Sequence, residues 1–270
     1  MATALRSALT DARSSAIPQA TVRPSAASIR ALGRIEARKM LLHPSFLIGT
    51  AFGLLIMRGA IGGSGSPDIG LMENLRWLAL GCLTGLIVAT VLTANVAALR
   101  SRRSGTQELF GSLPAPPETL TGGLLTGVLL GPVLIATLLT ALGWLVFRSD
   151  PDIAPYMNLF LAVQFPLTIA GLGMIGIGVG RWIPSLFGGP IVIALHMFTG
   201  LFWAVPWILP SSDLGSKAPW HLIYLFAAIT TWVALAFARD RRTAWRFAVA
   251  AGAFTIGVGA ALLQVPEGGW

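Results

Sequence analysis

The chain has 270 residues, of which 54% are hydrophobic and 11% are charged, whereas a soluble domain carries about 25% charged residues. This composition excludes an ordinary soluble protein and predicts a polytopic membrane protein, which we expect to be all-α because helices satisfy their own backbone in lipid. The net charge of +8 would favour nucleic acid as a partner in a soluble protein. Here the charges lie between apolar runs, where they set orientation, so we expect no nucleic-acid partner.

Two polar segments precede the first apolar run. Residues 1–27 are rich in Arg, Ser and Ala and lack an apolar core, so they predict a disordered cytoplasmic tail, with a transit peptide as the alternative. Residues 28–43 predict a basic amphipathic helix that lies at the inner membrane interface. Its apolar face would hold Ile29, Leu32, Ile35 and Met40, and its basic face Arg30, Arg34 and Arg38. An ordinary juxtamembrane helix that only anchors the chain is the alternative.

Residues 44–270 contain seven apolar runs of roughly 18 residues or more, the length that a helix needs to cross a bilayer. The runs lie at about 45–62, 76–99, 120–147, 157–180, 185–209, 219–238 and 244–263. We therefore predict one membrane domain with seven transmembrane helices. Six is the alternative count: without the last run, the number of spans is even and the C-terminus lies in the cytoplasm.

The basic residues predict the orientation of these spans. With a cytoplasmic N-terminus, the outer side holds only Arg58, Arg76, Arg148 and Lys217 of the 19 Lys and Arg residues. All others fall on the inner side, which is a strong positive-inside pattern. Arginine far outnumbers lysine, and alanine and glycine are abundant, which indicates a bacterial chain. We expect it in the cytoplasmic (inner) membrane.

Motifs for chemistry are missing from the sequence. It has no GxxxxGK[ST] stretch for nucleotide, no HExxH and no CxxC, and its three histidines lie far apart, so we predict no catalytic residue, no metal site and no cofactor on this chain. No Asp or Glu lies in the middle of an apolar run, whereas ion-coupled transporters usually need one there. Energy for any uphill transport must therefore come from another polypeptide.

The polar residues and the small residues inside the apolar runs can each have one of two roles. Asn95, Gln164 and His196 either join helices or line a path for a substrate. Small residues four positions apart either pack helices of one chain or form a contact between two chains. These small residues are Gly127 and Gly131, Gly176 and Gly180, and Ala253, Gly257 and Ala261.

The stretch "RRSGTQELFGSLPAPPETLTGG", residues 102–123, is polar although apolar runs flank it. Ser104 and Gln107 fit a capping box, so we predict a short cytoplasmic helix from Gly105 to Ser112 that ends before Pro114. Thr106, Phe110 and Leu113 would share one face of this helix, with Leu109 beside them. A solvated connector whose charges only set topology is the alternative.

Two stretches of the chain resemble the permease subunits of type-2 ABC exporters: "RIEARKMLLHPSFLIG" and "RRSGTQELFGSLPAPPETLTGGLL". The resemblance covers roughly residues 28–147. It implies that Glu36, Arg38 and Lys39 belong to a connecting helix. It also implies a coupling helix that docks on a separate ATPase. The residues assigned to this docking are Gly105, Thr106, Gln107, Glu108, Leu109 and Phe110, with Leu113 on the same face.

This resemblance, together with the absence of a nucleotide-binding motif and of an acidic residue in the middle of any apolar run, predicts a permease subunit of an ATP-binding-cassette exporter. ATP and Mg would bind the partner ATPase, and this chain would pair with a second copy or with a sister permease in the bilayer. The alternatives are a membrane scaffold that transports nothing and a stand-alone facilitator. The substrate is not readable from the sequence, although the apolar spans favour a hydrophobic or amphipathic cargo.

Overall fold

The computed structural model describes residues 24–62, 71–103, 116–148, 159–202 and 217–264. Within these ranges the regular elements are helices and none is a strand, so the prediction of an all-α fold is confirmed there. The helices are α1 (Ala26–Leu41), α2 (Pro44–Gly62), α3 (Leu71–Arg103), α4 (Pro117–Val128), α5 (Leu134–Phe147), α6 (Leu159–Trp182), α7 (Gly188–Phe202), α8 (Ala218–Asp240) and α9 (Ala244–Leu262). A π-helical turn, Leu129–Val133, joins α4 to α5.

Four helical stretches of the described chain are long and apolar enough to cross a membrane, judged by length and composition. They are Pro117–Leu142, Ala162–Trp182, Ala218–Asp240 and Ala244–Leu262. Pro44–Leu55 of α2 and Gly85–Arg100 of α3, the continuous stretches of these two helices whose side chains the structure describes, are also apolar. The last predicted run, 244–263, is therefore a helix fit to span, and the count of seven spans stays a prediction.

Helix α1 packs lengthwise on α4. Ser25 caps its start, because the side-chain oxygen accepts a hydrogen bond from the Ala27 N–H at 3.2 Å. Ile29 lies against Gly122 and Ala37 against Gly131, so the two helices run in the same direction. On the predicted apolar face, Met40 is buried whereas Ile35 is 52% exposed; Glu36, 6% exposed, lies on the side of α1 that packs within the chain. The position of α1 relative to a bilayer stays a prediction.

A proline accounts for the π-helical turn between α4 and α5. Pro132 has no N–H to donate, and in a regular α-helix its ring would collide with the carbonyl four residues earlier. A wider turn moves that carbonyl away from the proline ring. The turn leaves the side chains of Leu129 and Leu130 on the surface of the protein, 47% and 41% exposed. It also places Gly131 against Ala37 of α1.

The three small-residue seams pack helices of this chain against one another. A Cβ on Gly131 would lie 3.3 Å from the Ala37 carbonyl oxygen of α1, and one on Gly176 would lie 2.8 Å from the Val91 carbonyl oxygen of α3. Gly257 of α9 faces the methyl group of Ala227 in α8. Of the two readings of these seams, the structure supports packing within one chain.

The core lies between α3, α4, α6 and α8. Its fully buried side chains include Val91, Val128, Leu172, Ile177 and Leu225. The outer faces of α5 and α9 are apolar and open, with Leu138 and Phe254 56% and 62% exposed. Such a surface suits lipid, because hydrocarbon tails replace water as its solvent.

Candidate functional site

Two acidic side chains bind arginines at one end of the bundle. Glu118 Oε1 lies 3.1 Å from Arg246 Nη2 and 3.5 Å from Arg241 Nε. Asp240 pairs with Arg181 and accepts a hydrogen bond from the Thr121 hydroxyl. We call these six residues the Glu118–Asp240 cluster. It joins the start of α4, the end of α6, the end of α8 and the start of α9.

The helix ends explain why these residue types lie there. Glu118 is in the first turn of α4 behind Pro117, where the positive end of the helix dipole favours a carboxylate. Arg181 is in the last turn of α6, where the dipole favours a cation. Asp240 lies at the C-terminal end of α8, where the dipole disfavours it, so its position depends on Arg181 and Thr121.

The cluster is mostly shielded from solvent. The side chains of Glu118, Asp240, Arg181 and Arg246 are between 2% and 12% exposed, whereas Arg241 is 61% exposed. A buried pair adds little net stability over an apolar replacement, but removal of one partner leaves a buried charge and costs about 3–5 kcal/mol. The pairs therefore fix the relative positions of four helix ends more than they add to stability.

Trp182 packs beside the Glu118–Asp240 cluster at the end of α6. Trp182, which follows Arg181, donates its indole N–H to the Leu235 carbonyl oxygen at 2.9 Å. The guanidinium groups of Arg239 and Arg242 lie 6.0 and 5.9 Å from the Trp182 ring centroid, within range of cation–π attraction. The basic loop between α8 and α9 is thus held against the end of α6.

A second charged group ties α1 to α3. Glu36 accepts hydrogen bonds from Arg100 Nη1 at 3.0 Å and from Lys39 Nζ at 2.9 Å. The structure therefore brings together Glu36 and Lys39, two of the three residues assigned to a connecting helix. It does not bring Arg38 to them: Arg38 is exposed on another side of α1.

The residues assigned to ATPase docking, from Gly105 to Leu113, lie outside the described residues. The structure does describe both flanks of this segment. α3 ends at Arg103, and the chain resumes at Pro116, directly before α4. Glu118 is two residues beyond Pro116, so the Glu118–Asp240 cluster begins where the segment ends.

The residues predicted to line a substrate path are not brought to one place. Asn95 is 1% exposed and donates from Nδ2 to the Ser185 carbonyl oxygen at 3.4 Å. Its Oδ1 would touch a Cβ on Gly180, near the end of α6. Gln164 is fully buried near the start of α6, about 24 Å from Gly180 at 1.5 Å per residue. His196 belongs to α7, and its side chain lies outside the described part.

Sequence reasoning missed the charged pairs and one polar pair at the opposite end of the bundle. His221, fully buried at the start of α8, lies with Nδ1 2.9 Å from Oε1 of Gln264, just beyond α9. A signal for the charged pairs does exist in the sequence. Glu36, Glu118 and Asp240 are acids in predicted inner segments where basic residues predominate, and each of them is bound to an arginine.

Comparison of the chain with family models, with curated proteins and with solved structures finds no match in any of the three. The likeness to type-2 exporter permeases therefore rests on the two quoted stretches of sequence.

Proposed function

We propose that this chain is the transmembrane permease subunit of an ATP-binding-cassette exporter, driven by a separate cytoplasmic ATPase that binds ATP and Mg. The observation that carries the proposal is the bond between Glu118 and Arg246, 128 residues apart in the chain, at the point where the 104–115 segment enters α4. A segment that docks a motor needs such a rigid connection to the spans. A loop that only sets topology does not need one.

Force on the segment would reach the spans through α4. Pro117 begins this helix and holds the backbone angle of its first residue, so the entry to α4 is stiff. Displacement of Glu118 then changes its contacts to Arg246 and Arg241, and displacement of Thr121 changes the contact to Asp240. ATP binding would favour one of two arrangements of these pairs and thereby one orientation of the bundle.

The pairs suit a switch because they are buried and directional. An intermediate position of α4 would separate Glu118 from Arg246 without giving either group back to water, which is costly. The cluster therefore favours two discrete positions of the helix ends over a continuous range. In the proposed orientation, with seven spans in a bacterial inner membrane and the N-terminus in the cytoplasm, this end faces the ATPase.

The substrate path would form between two permease chains. Within one chain, Asn95 and Gln164 lie near opposite ends of α6, and both side chains are buried among helices of that chain. A stand-alone facilitator would need its polar residues along one channel, so the same observation disfavours that alternative. The partner permease would be a second copy or a sister chain. A cargo with a large apolar part suits walls of this composition.

Purification of the tagged chain from native membranes tests the proposal. We expect a P-loop ATPase in stoichiometric amount, and a photo-crosslinking amino acid placed at Phe110 should join the two chains. The same crosslinker placed at Leu138, on the outer face of α5, is the control and should not reach the ATPase. Recovery of the intact chain with no ATPase, together with no crosslink from Phe110, would favour the scaffold.

A further inference from the structure

An open groove of about 560 Å³ runs between α1 and the π-helical turn. Its lining residues are Arg34, Ala37, Arg38, Leu41, Leu42 and Leu130. Ala37 packs on Gly131 and forms the floor. The remaining residues divide into two cations and three leucines. We call this feature the α1 groove.

Among the described residues, no acidic side chain pairs with either arginine of the α1 groove. The three acidic side chains that the structure describes pair elsewhere: Glu36 with Arg100, Asp240 with Arg181, and Glu118 with Arg246. Arg34 and Arg38 are both exposed, one helical turn apart on the same face. Their guanidinium groups can therefore bind one anion from two sides.

The two arginines lie at one end of the α1 groove and the leucines lie toward the other end. Helix α1 runs in the same direction as α4, away from Glu118 and the charged end of the bundle. Arg34 and Arg38 therefore come first, and Leu41 and Leu42 lie further toward the apolar middle. Leu130, pushed outward by the π-helical turn, adds to the apolar side; it is 41% exposed and Leu42 is 61% exposed.

We propose that the α1 groove binds an anionic phospholipid. The phosphate lies between Arg34 and Arg38, and the first part of an acyl chain lies along Leu41, Leu42 and Leu130. The sequence of charges and apolar surface matches a phospholipid, in which the anionic headgroup is followed by hydrocarbon. Basic pockets beside transmembrane helices bind anionic headgroups in this way.

An acidic protein segment fits the groove less well. It would satisfy the arginines, but it would place polar backbone groups against three leucines, which is unfavourable. The inference needs only a membrane-embedded chain, so it holds whether or not the exporter proposal is correct.

Lipid binding to the purified full chain in a neutral detergent tests the inference. Native mass spectrometry would count bound lipids during titration with dioleoyl phosphatidylglycerol, with dioleoyl phosphatidylcholine, and with inorganic phosphate as a competitor. We expect one phosphatidylglycerol to bind in preference to phosphatidylcholine. In an R34Q/R38Q double variant its affinity should fall about 20- to 30-fold, since each cation near an anionic lipid contributes about a factor of five.

Two control variants separate the groove from general charge and from a plain phosphate site. R30Q/R103Q removes two exposed cations outside the groove and should bind phosphatidylglycerol as the unmodified chain does. Leu130→Ser keeps both groove cations and should still weaken phosphatidylglycerol binding several-fold, because the acyl chain loses a contact. Monodisperse elution of each variant shows that it is folded.

Three results would overturn the inference. Equal binding of the two lipids would show that the headgroup charge is not recognised. Equal losses in R34Q/R38Q and R30Q/R103Q would show that only the total charge matters. Displacement of phosphatidylglycerol by millimolar inorganic phosphate, with no effect of Leu130→Ser, would indicate an anion site without a place for a chain.

Discussion

Glu118 at the start of α4 and Arg246 at the start of α9 are 128 positions apart in the chain, and their side chains meet at 3.1 Å. Both are shielded from solvent, with 10% and 11% of their side chains exposed. This pair joins the first turn of α4, which follows the polar 104–115 segment in the chain, to the first turn of α9. It gives a physical reason why a displacement at the start of α4 would also displace α9, five helices later in the chain.

Arg246→Ala should destabilise the protein by about 3–5 kcal/mol, because it leaves the Glu118 carboxylate buried with only the exposed Arg241 beside it. Denaturant unfolding in detergent micelles measures the change. Arg242→Ala is the matched control: its guanidinium is exposed and lies over Trp182, so the loss should be about 1 kcal/mol or less.

A double variant distinguishes pairing from bulk. Glu118→Gln combined with Arg246→Met removes both charges and should cost less than the two single changes added together, since no buried charge is left alone. If the losses in unfolding free energy were additive, Glu118 and Arg246 would not interact in the folded protein, and their proximity would contribute nothing to stability.

Gly85→Ala should separate α2 from α3. A methyl group there would meet the Gly49 carbonyl oxygen and lie 2.8 Å from the Gly53 Cα, so the backbones must move apart. We expect a loss of about 1–3 kcal/mol, as for other overpacked sites. Gly259→Ala, where nothing lies within 4 Å, is the control and should be neutral or slightly stabilising. If both variants had the same stability, the close approach of α2 and α3 would be refuted.

The helices were predictable from the sequence because each contains an apolar run that lipid or a core must cover. The side of α1 that packs within the chain was not predictable, since periodicity groups Ile35 with the apolar side and Glu36 with the polar side. Two distant residues decide the outcome: Arg100 binds Glu36 from 64 positions away, and Thr126 fits against Gly33. Likewise Asp240 looks like a surface acid in "ARDRR" until Arg181 of another helix is brought to it.

The orientation of the chain has a separate test that depends on topology alone. In a Cys82→Ser background, single cysteines at Ser104 and Ser212 should react with a membrane-impermeant maleimide from opposite sides, because the basic residues favour a cytoplasmic 104 loop. A reporter fused after Trp270 should be external if 244–263 spans. Labelling of both cysteines from the same side would contradict the orientation, and cytoplasmic activity of the reporter would reduce the count to six.

Coupling of this chain to an ATPase through the 104–113 segment is tested most directly by a comparison of Phe110→Asp with Glu108→Ala in the purified complex. Phe110 would be a buried aromatic anchor and should carry more of the contact than its charged neighbours, about 1–3 kcal/mol even for removal to alanine. We predict that Phe110→Asp, at normal membrane level, loses the ATPase and all transport-linked ATP hydrolysis, whereas Glu108→Ala keeps most of both. A Phe110→Asp variant that still binds the ATPase and transports at the original rate would contradict the account.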